Sequence, residues 1–209
     1  CVQRLADKLP GMYLIETDAD GERRFHYWRS DSAARHWLRG SRAPAILEQL
    51  AVARYVYLSG ISLAILAPAD RDLLLASLAR CHANGGQIVF DNNYRPRLWG
   101  EAQVAVEVYH RVLQLSSLAL LTLDDEEALY GPASIEQVIA RTSALGVAEI
   151  VLKRGGQPCI VWRDGVLEEV AAPPVARVVD TTAAGDSFGA AYFAARLAGK
   201  QPADAALAG

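Results

Sequence analysis

The chain has 209 residues, of which 52% are hydrophobic and 22% are charged, a composition typical of one α/β-sized domain with a buried core. Its net charge of −3 gives no electrostatic basis for binding nucleic acid or an acidic membrane surface. No apolar run approaches the length of a membrane span, so neither nucleic acid nor a membrane is an expected partner.

The cysteines and histidines indicate neither a disulfide framework nor a metal site. Cys1, Cys81 and Cys159 lie far apart without CxxC spacing, which is typical of reduced thiols in a cytoplasmic protein. The four histidines follow no metal-ligand pattern. Because the sequence begins at Cys1 and ends in an alanine-rich, helix-like segment, we expect a fragment truncated at both ends.

Two β-prone runs lie near the start of the chain. Residues 12–17 and 23–28 flank a glycine-containing turn at 18–21, a pattern typical of a β-hairpin. One interpretation is the edge of a sheet followed by a solvated arginine. The other is that Tyr13, Tyr27 and Arg29 point into a sugar pocket, where the guanidinium could meet a carboxylate.

From about residue 31 the sequence alternates between helical and strand patterns. The predicted helices are 44–53, 70–83, 101–114, a short one ending at 130–131, and 134–145. The predicted strands are 55–60, 87–91, 117–122 and 149–153, followed by a second hairpin at 160–167. Near-continuous apolar strands separated by helices indicate a mostly parallel sheet with helices on both faces. Ligands bind beyond the carboxyl ends of the strands in such folds.

The most informative segment is Asp-Thr-Thr-Ala-Ala-Gly-Asp-Ser-Phe at 180–188, which follows an apolar lead-in at 178–179. The pattern after Asp186 is helical and stops at 199–200. Small residues before a helix let backbone amides approach a ligand, and the helix N-terminus favours an anion such as phosphate. Asp186, in the first turn, could act as general base towards a hydroxyl that attacks phosphorus. An ordinary strand–loop–helix connection is the alternative.

This segment resembles the C-terminal signature of the PfkB (ribokinase-like) carbohydrate kinases. The resemblance implies an α/β, ribokinase-like three-layer fold with a mostly parallel central sheet and a small β-hairpin lid. It implies ATP and Mg²⁺ as cofactors, an anion hole formed by Ala183, Ala184 and Gly185, and Asp186 as the catalytic base. Many members have glycine where this chain has Ala183, but alanine still supplies the amide.

The segment 90–99 is unusually polar for a stretch that leaves a buried strand. Asp91 and Asn93 could orient Arg95, whose guanidinium can clamp a carboxylate or a phosphate at two points. Arg97 is expected to face solvent.

The same segment resembles the Asp-x-Asn-x-Arg-x-x-Leu-Trp element of the family branch that phosphorylates the sugar acid 2-dehydro-3-deoxygluconate. Residues 27–29 and 59–62 are similar to further elements of that branch. The resemblance therefore implies that the substrate is bound by Tyr13, Tyr27, Arg29, Arg95 and Asp186.

Two more strand ends carry charged or flexible residues. The family places an Asn-x-x-Glu motif that holds Mg²⁺ through water where this chain has 122–128, and the resemblance implies that Asp125 or Glu126 serves the metal. A helix N-terminus rich in acids is the alternative. The turn at 153–156 resembles the family's nucleotide-binding turn. The residues implied for ATP binding are Arg95, Lys153, Gly155, Gly156, Ala183 and Gly185.

The expected activity is ATP-dependent conversion of 2-dehydro-3-deoxy-D-gluconate to 2-dehydro-3-deoxy-6-phospho-D-gluconate. Residues 1–30 are expected to belong to the lid and 31–209 to a kinase core that is incomplete at both ends, since the family's N-terminal Gly-Gly-x-x-x-Asn signature is not found. Family members often dimerise through the lid, so the resemblance implies a homodimer or a higher homo-oligomer. The alternatives are another PfkB sugar kinase, such as a fructokinase or ribokinase, and a non-catalytic sugar-sensing module, against which the intact Asp186 argues.

Overall fold

Strands and helices alternate along most of the chain. The computed structural model describes residues 3–17, 23–174 and 180–209. The strands are β1 (Met12–Thr17), β2 (Arg23–Trp28), β3 (Tyr55–Ser59), β4 (Gln87–Asp91), β5 (Leu118–Thr122), β6 (Glu149–Arg154), β7 (Gln157–Arg163) and β8 (Val166–Val170). The helices are α1 (Ala43–Ala51), α2 (Gly60–Ala64), α3 (Pro68–Ala83), α4 (Pro96–Trp99), α5 (Ala102–Leu113), α6 (Leu123–Tyr130), α7 (Ile135–Ser143), α8 (Ala184–Leu197) and α9 (Pro202–Ala206), with a short 3-10 helix at Ala33–Arg35. The predicted turn at 18–21 and the lead-in at 178–179 lie outside the described residues.

The described strands form a large sheet and a separate hairpin. In the large sheet the order is β3-β4-β5-β6-β7-β8. The first four run parallel, and β7 and β8 are added antiparallel. The mostly parallel sheet and both hairpins are therefore confirmed. The sequence did not predict α2 and α4, because helices of four or five residues are too short to show a hydrophobic period, whereas α9 lies in the alanine-rich segment described above as helix-like.

The sheet is covered on both faces, as predicted. One core cluster joins the sheet to α1, α2, α3, α5, α6 and α7, with Phe90, Leu121 and Leu152 among its strand residues. A smaller cluster joins the opposite face to α8 and α9 through Leu120, Val151 and other strand residues. Because side chains alternate along a strand, neighbouring positions serve opposite cores.

Helix α8 approaches the sheet closely. Gly189 is buried, and a Cβ atom at this position would lie 3.1 Å from Leu120 Cδ1 and 3.3 Å from the Tyr57 hydroxyl. A larger residue would push the helix outwards, so the glycine lets the start of α8 lie over the carboxyl ends of the parallel strands. The described helices include none that is both long and apolar enough to cross a membrane.

Candidate active site

The predicted anion-binding turn lies at the start of α8. Ala183 precedes the helix with φ 58° and ψ 18°, in the left-handed region. The Asp180 carboxylate accepts a hydrogen bond from the Thr182 amide at 2.8 Å, and the Ala184 amide donates to the Thr181 carbonyl at 3.2 Å. The turn thus presents the positive end of the α8 dipole, but the Ala184 amide is already hydrogen bonded within it.

Gly185, the third residue of the predicted anion hole, has an accessible backbone. Its amide forms no hydrogen bond with any described residue. A Cβ atom at Gly185 would have only the Lys153 Nζ atom within 4 Å, at 3.6 Å. The backbone here is accessible, and a positive charge lies beside it.

A cavity of about 320 Å³ lies between this turn and the strand ends. Its lining combines several carboxylates with two cations and the small residues of the turn. The lining residues are Asp91, Asn93, Arg95, Thr122, Asp124, Asp125, Lys153, Thr181, Ala183, Ala184, Gly185 and Asp186. The structure therefore brings together the predicted base, the predicted anion turn and residues from three strand ends.

Asp91 does not contact Arg95, contrary to the prediction that it orients this arginine. Its carboxylate is almost fully buried and lies 3.3 to 3.4 Å from the Lys153 ammonium. It also accepts a hydrogen bond from the Tyr57 hydroxyl at 3.0 Å. This pairing could not be predicted from local sequence patterns, because Asp91 and Lys153 lie on different strands. Burial and the charge of Asp91 raise the pKa of Tyr57, so the phenol stays protonated and donates.

Arg95 is oriented by Asp125 instead. Its Nη1 atom lies 3.2 Å from Asp125 Oδ1 and 2.7 Å from the Tyr94 carbonyl oxygen. The other carboxylate oxygen of Asp125 accepts from the Tyr94 amide at 3.2 Å. Burial raises the pKa of Asp125, and this effect outweighs the opposing charge of Arg95.

Glu126, one of the two predicted metal residues, faces away from the cavity. Its side chain is buried, with one oxygen 2.7 Å from Arg141 Nη2 and the other 3.1 Å from Asn92 Nδ2. Both of its oxygens are hydrogen bonded, as are those of Asp125, but Glu126 does not line the smaller cavity. The prediction that Glu126 serves the metal is therefore not supported by its position, whereas Asp125 and its neighbour Asp124 do line the cavity.

Asn93 contacts the predicted base. Its Nδ2 atom lies 3.5 Å from Asp186 Oδ1, and its φ of 30° is unusual for a residue other than glycine. Asn92 sets this conformation, since its Oδ1 atom accepts from the amides of both Asn93, at 2.8 Å, and Thr122, at 3.1 Å. The predicted contact between Asn93 and Arg95 is absent from the described hydrogen bonds. Asn93 orients Asp186 instead.

A second cavity of about 720 Å³ lies under the hairpin. It is lined by Tyr27, Arg29, Ser30, Arg35, Ile65, Arg95, Pro96, Arg97 and Leu98. The predicted substrate residues Tyr27, Arg29 and Arg95 are thus brought together. Tyr13 is not part of the lining, although its ring lies 6.4 Å from that of Tyr27 on the same hairpin.

The larger cavity is strongly cationic. Arg97 is exposed, as predicted, but it lines the cavity together with Arg35, which the sequence did not single out. The Arg29 guanidinium lies 4.1 Å from the centre of the Tyr27 ring, which fixes its orientation by a cation–π contact. Arg95 lines both cavities. The two cavities therefore meet at Arg95.

The other predicted nucleotide residues lie at the end of β6. Gly155 and Gly156 form the turn into β7 and do not line either cavity. A Cβ atom at either glycine would meet no atom within 4 Å, so the backbone of this turn is open to a ligand. Of Lys153, Gly155 and Gly156, the residues predicted at this turn, Lys153 lines the smaller cavity.

The carboxylates in the smaller cavity fit Mg²⁺ only as partial ligands. In the ranges 3–17, 23–174 and 180–209, no group of three or more His, Cys, Asp or Glu side chains is arranged to hold a metal ion. Mg²⁺ usually keeps several waters and binds one or two carboxylates together with substrate phosphates. Asp124 and Asp125, which line the same cavity as the predicted anion-binding turn, match that requirement.

Known proteins resemble this chain over nearly its whole length. The protein-family model described as pfkB family carbohydrate kinase matches residues 1–209. The 2-dehydro-3-deoxygluconokinase of Escherichia coli (strain K12) is 51% identical over 210 residues, which cover 99% of this chain and 68% of the relative. The chain thus spans about two thirds of that relative's length.

Solved structures share the fold. A PfkB protein from Polaromonas sp. JS666 superposes with a TM-score of 0.80 at 24% identity, over 96% of this chain and 64% of that chain. An Escherichia coli protein described as a Ribokinase II, solved in complex with ATP and Mg²⁺, gives a TM-score of 0.71 at 27% identity, over 88% of this chain and 58% of that one. The fold is ribokinase-like α/β, and the chain belongs to the pfkB family of carbohydrate kinases.

Proposed function

We propose that the protein transfers the γ-phosphoryl group of ATP to 2-dehydro-3-deoxy-D-gluconate and forms 2-dehydro-3-deoxy-6-phospho-D-gluconate. The observation that carries this proposal is the position of Arg95, which lines both the cavity of the predicted base and the arginine-rich cavity. A sugar acid has a carboxylate at one end and a hydroxyl at the other. The two cavities match these two ends in chemistry, and a relative at 51% identity carries the corresponding name.

The arginine-rich cavity would bind the acid end of the substrate. Arg29 and Arg95 would pair with the carboxylate, and the Tyr27 ring would hold Arg29 in place. A neutral sugar would leave several guanidinium groups in this cavity without a partner, so the composition of the cavity favours an anionic substrate. Since the hairpin strand β2 contains Tyr27 and leads directly into Arg29, we assign residues 1–30 to a lid over a core formed by 31–209.

The smaller cavity would carry out the phosphoryl transfer. Asp186 would accept the proton of the terminal hydroxyl as this oxygen attacks the phosphorus, with Asn93 orienting the carboxylate. The Gly185 amide, the α8 dipole and Lys153 would stabilise the transferring phosphoryl group. Asp124 and Asp125 would contribute to binding Mg²⁺, which neutralises phosphate charge when it is bound with ATP. We expect the reaction to take place in the cytoplasm and the protein to form a homodimer or a higher homo-oligomer.

The direct test is ATP consumption by the full-length protein, coupled to product identification. The substrates are 2-dehydro-3-deoxygluconate, gluconate, fructose and ribose at equal concentrations. We expect the keto-acid to be phosphorylated with the highest kcat/KM. Preference for fructose or ribose would refute the sugar-acid assignment while leaving the kinase chemistry in place. Binding of ATP without turnover of any substrate would favour a sugar-sensing module instead.

A further inference from the structure

Tyr57, Asp91 and Lys153 form a polar cluster next to the anion turn, in which the charged pair is largely buried and Tyr57 is exposed. The side chains of Asp91 and Lys153 are 2% and 12% exposed, and their charged atoms lie 3.3 Å apart at closest approach. The Tyr57 hydroxyl donates to Asp91 Oδ2 at 3.0 Å. The order of contacts is thus phenol, carboxylate, ammonium.

The sheet topology places this cluster against α8. Tyr57, Asp91 and Lys153 lie on β3, β4 and β6, on the face that α8 covers; Asp91 and Lys153 lie at the carboxyl ends of their strands and Tyr57 lies in the middle of β3. Gly189 of α8 lies close to the Tyr57 hydroxyl, and Gly185 lies close to the Lys153 ammonium. The cluster therefore touches the first turns of α8, and its ammonium end is the one nearest to the anion turn.

Stability alone gives a weak reason for this arrangement. Moving a carboxylate and an ammonium out of water costs about as much as their attraction returns, and apolar replacements for buried ion pairs are often neutral or stabilising. The same face also holds the apolar core residues Val89, Leu120 and Val151. An ammonium group has three N–H donors, and Asp91 cannot use all of them. At least one donor remains for a group in the cavity that Lys153 lines.

We propose that Asp91, supported by Tyr57, is a positioning residue that holds the Lys153 ammonium at the anion turn for the γ-phosphoryl group. This role rests on the proposed function, since it requires ATP in the smaller cavity. A lysine side chain has several rotatable bonds, and fixing its position before the reaction removes the cost of ordering it. Asp91 would fix one end of this ammonium, and Tyr57 would fix the carboxylate.

A double-mutant cycle tests the proposal in the full-length protein. We expect Lys153→Met to lower kcat by about 10²-fold to 10³-fold, as the loss of a transition-state charge partner typically does. Asp91→Asn should lower kcat by about tenfold or more, and Tyr57→Phe should have a smaller effect in the same direction. If Asp91 acts through Lys153, Asp91→Asn should cause almost no further loss in the Lys153→Met background. A full additional loss in that background would overturn the proposal.

Controls separate this role from a structural one. Tyr55→Phe removes a hydroxyl group from the same strand and the same sheet face as Tyr57. Because Tyr55 lies at the end of the strand that is remote from the anion turn, this variant should leave kcat unchanged. If Asp91→Asn does not fold, the cycle is completed with Tyr57→Phe and Lys153→Met. Equal kcat for Tyr57→Phe and Tyr55→Phe would then contradict the proposal.

The affinity for MgATP, measured without a sugar, separates this proposal from the proposed function. Weaker MgATP binding in Asp91→Asn and Lys153→Met, with no further loss in the double variant, would support the positioning role even if 2-dehydro-3-deoxygluconate were not the substrate. Unchanged MgATP affinity and unchanged kcat in Asp91→Asn would refute the positioning role and leave the substrate assignment standing.

Discussion

Arg95 Nη1 lies 3.2 Å from Asp125 Oδ1, so one ion pair joins the residue predicted for the substrate to the residue predicted for the metal. Arg95 lines both cavities, whereas Asp125 lines only the smaller one. The pair therefore lies where a sugar acid and a nucleotide would meet. Breaking it should affect both ligands.

Asp125→Asn should raise the Mg²⁺ concentration needed for half-maximal activity by about tenfold, because an amide is a weaker ligand for this hard cation than a carboxylate. The matched control is Glu126→Gln, whose side chain is buried against Arg141 and Asn92. It should lower the Tm without changing the Mg²⁺ dependence. A larger Mg²⁺ effect in Glu126→Gln than in Asp125→Asn would contradict our assignment.

Asp125→Asn should also leave the Tm at pH 7 unchanged or higher. Burial raises the pKa of Asp125 in the folded state, so ionisation of this carboxyl opposes folding. This loss of folding stability is absent below about pH 4, the ordinary pKa range of an aspartate. It develops as the pH rises through the raised pKa that Asp125 has in the folded state. The advantage of the variant, which is its Tm minus that of the unsubstituted protein, should therefore decrease as the pH is lowered. Thermal melts between pH 4 and pH 8 measure it, and an advantage that grows on acidification would refute the prediction.

Asp186→Asn should lower kcat by about 10²-fold to 10⁴-fold, because the amide cannot accept the proton of the substrate hydroxyl. The affinity for MgATP should change little, which isothermal titration can measure. Ser187→Ala, at the next position in α8, is the control for disturbance of the helix start. Near wild-type turnover in Asp186→Asn would exclude this residue as the base.

Ala183→Gly should stabilise the protein by about 1 kcal/mol. Ala183 has a φ of 58°, and the left-handed region costs an alanine roughly 1–2 kcal/mol, which glycine largely avoids. Denaturant unfolding measures the gain. The matched control is Ala191→Gly in the interior of the same helix, which should lose about 1 kcal/mol. A loss of stability in both variants would show that the turn does not strain Ala183.

Arg29→Lys should raise the KM for a sugar acid by about tenfold and leave kcat nearly unchanged, because a lysine cannot form the two-point contact with a carboxylate. Arg111→Lys is the control, since Arg111 pairs with Asp72 on the exposed surface. Initial rates with the keto-acid measure the effect. An equal change in KM for fructose would argue against a carboxylate contact.

The sequence by itself determined the order of the strands and of the longer helices, the mostly parallel sheet and the strand–loop–helix segment that holds the predicted anion turn. These features depend on local patterns: apolar runs, glycine at turns, and small residues before a helix. Only the tertiary structure decided which charged groups pair. Asp91 pairs with Lys153 rather than orienting Arg95, and Glu126 turns inwards to Arg141 while the adjacent Asp125 lines the cavity. Pairing depends on strand order, on which face each side chain takes and on how closely α8 packs, and residues far apart in sequence meet only once the sheet has formed.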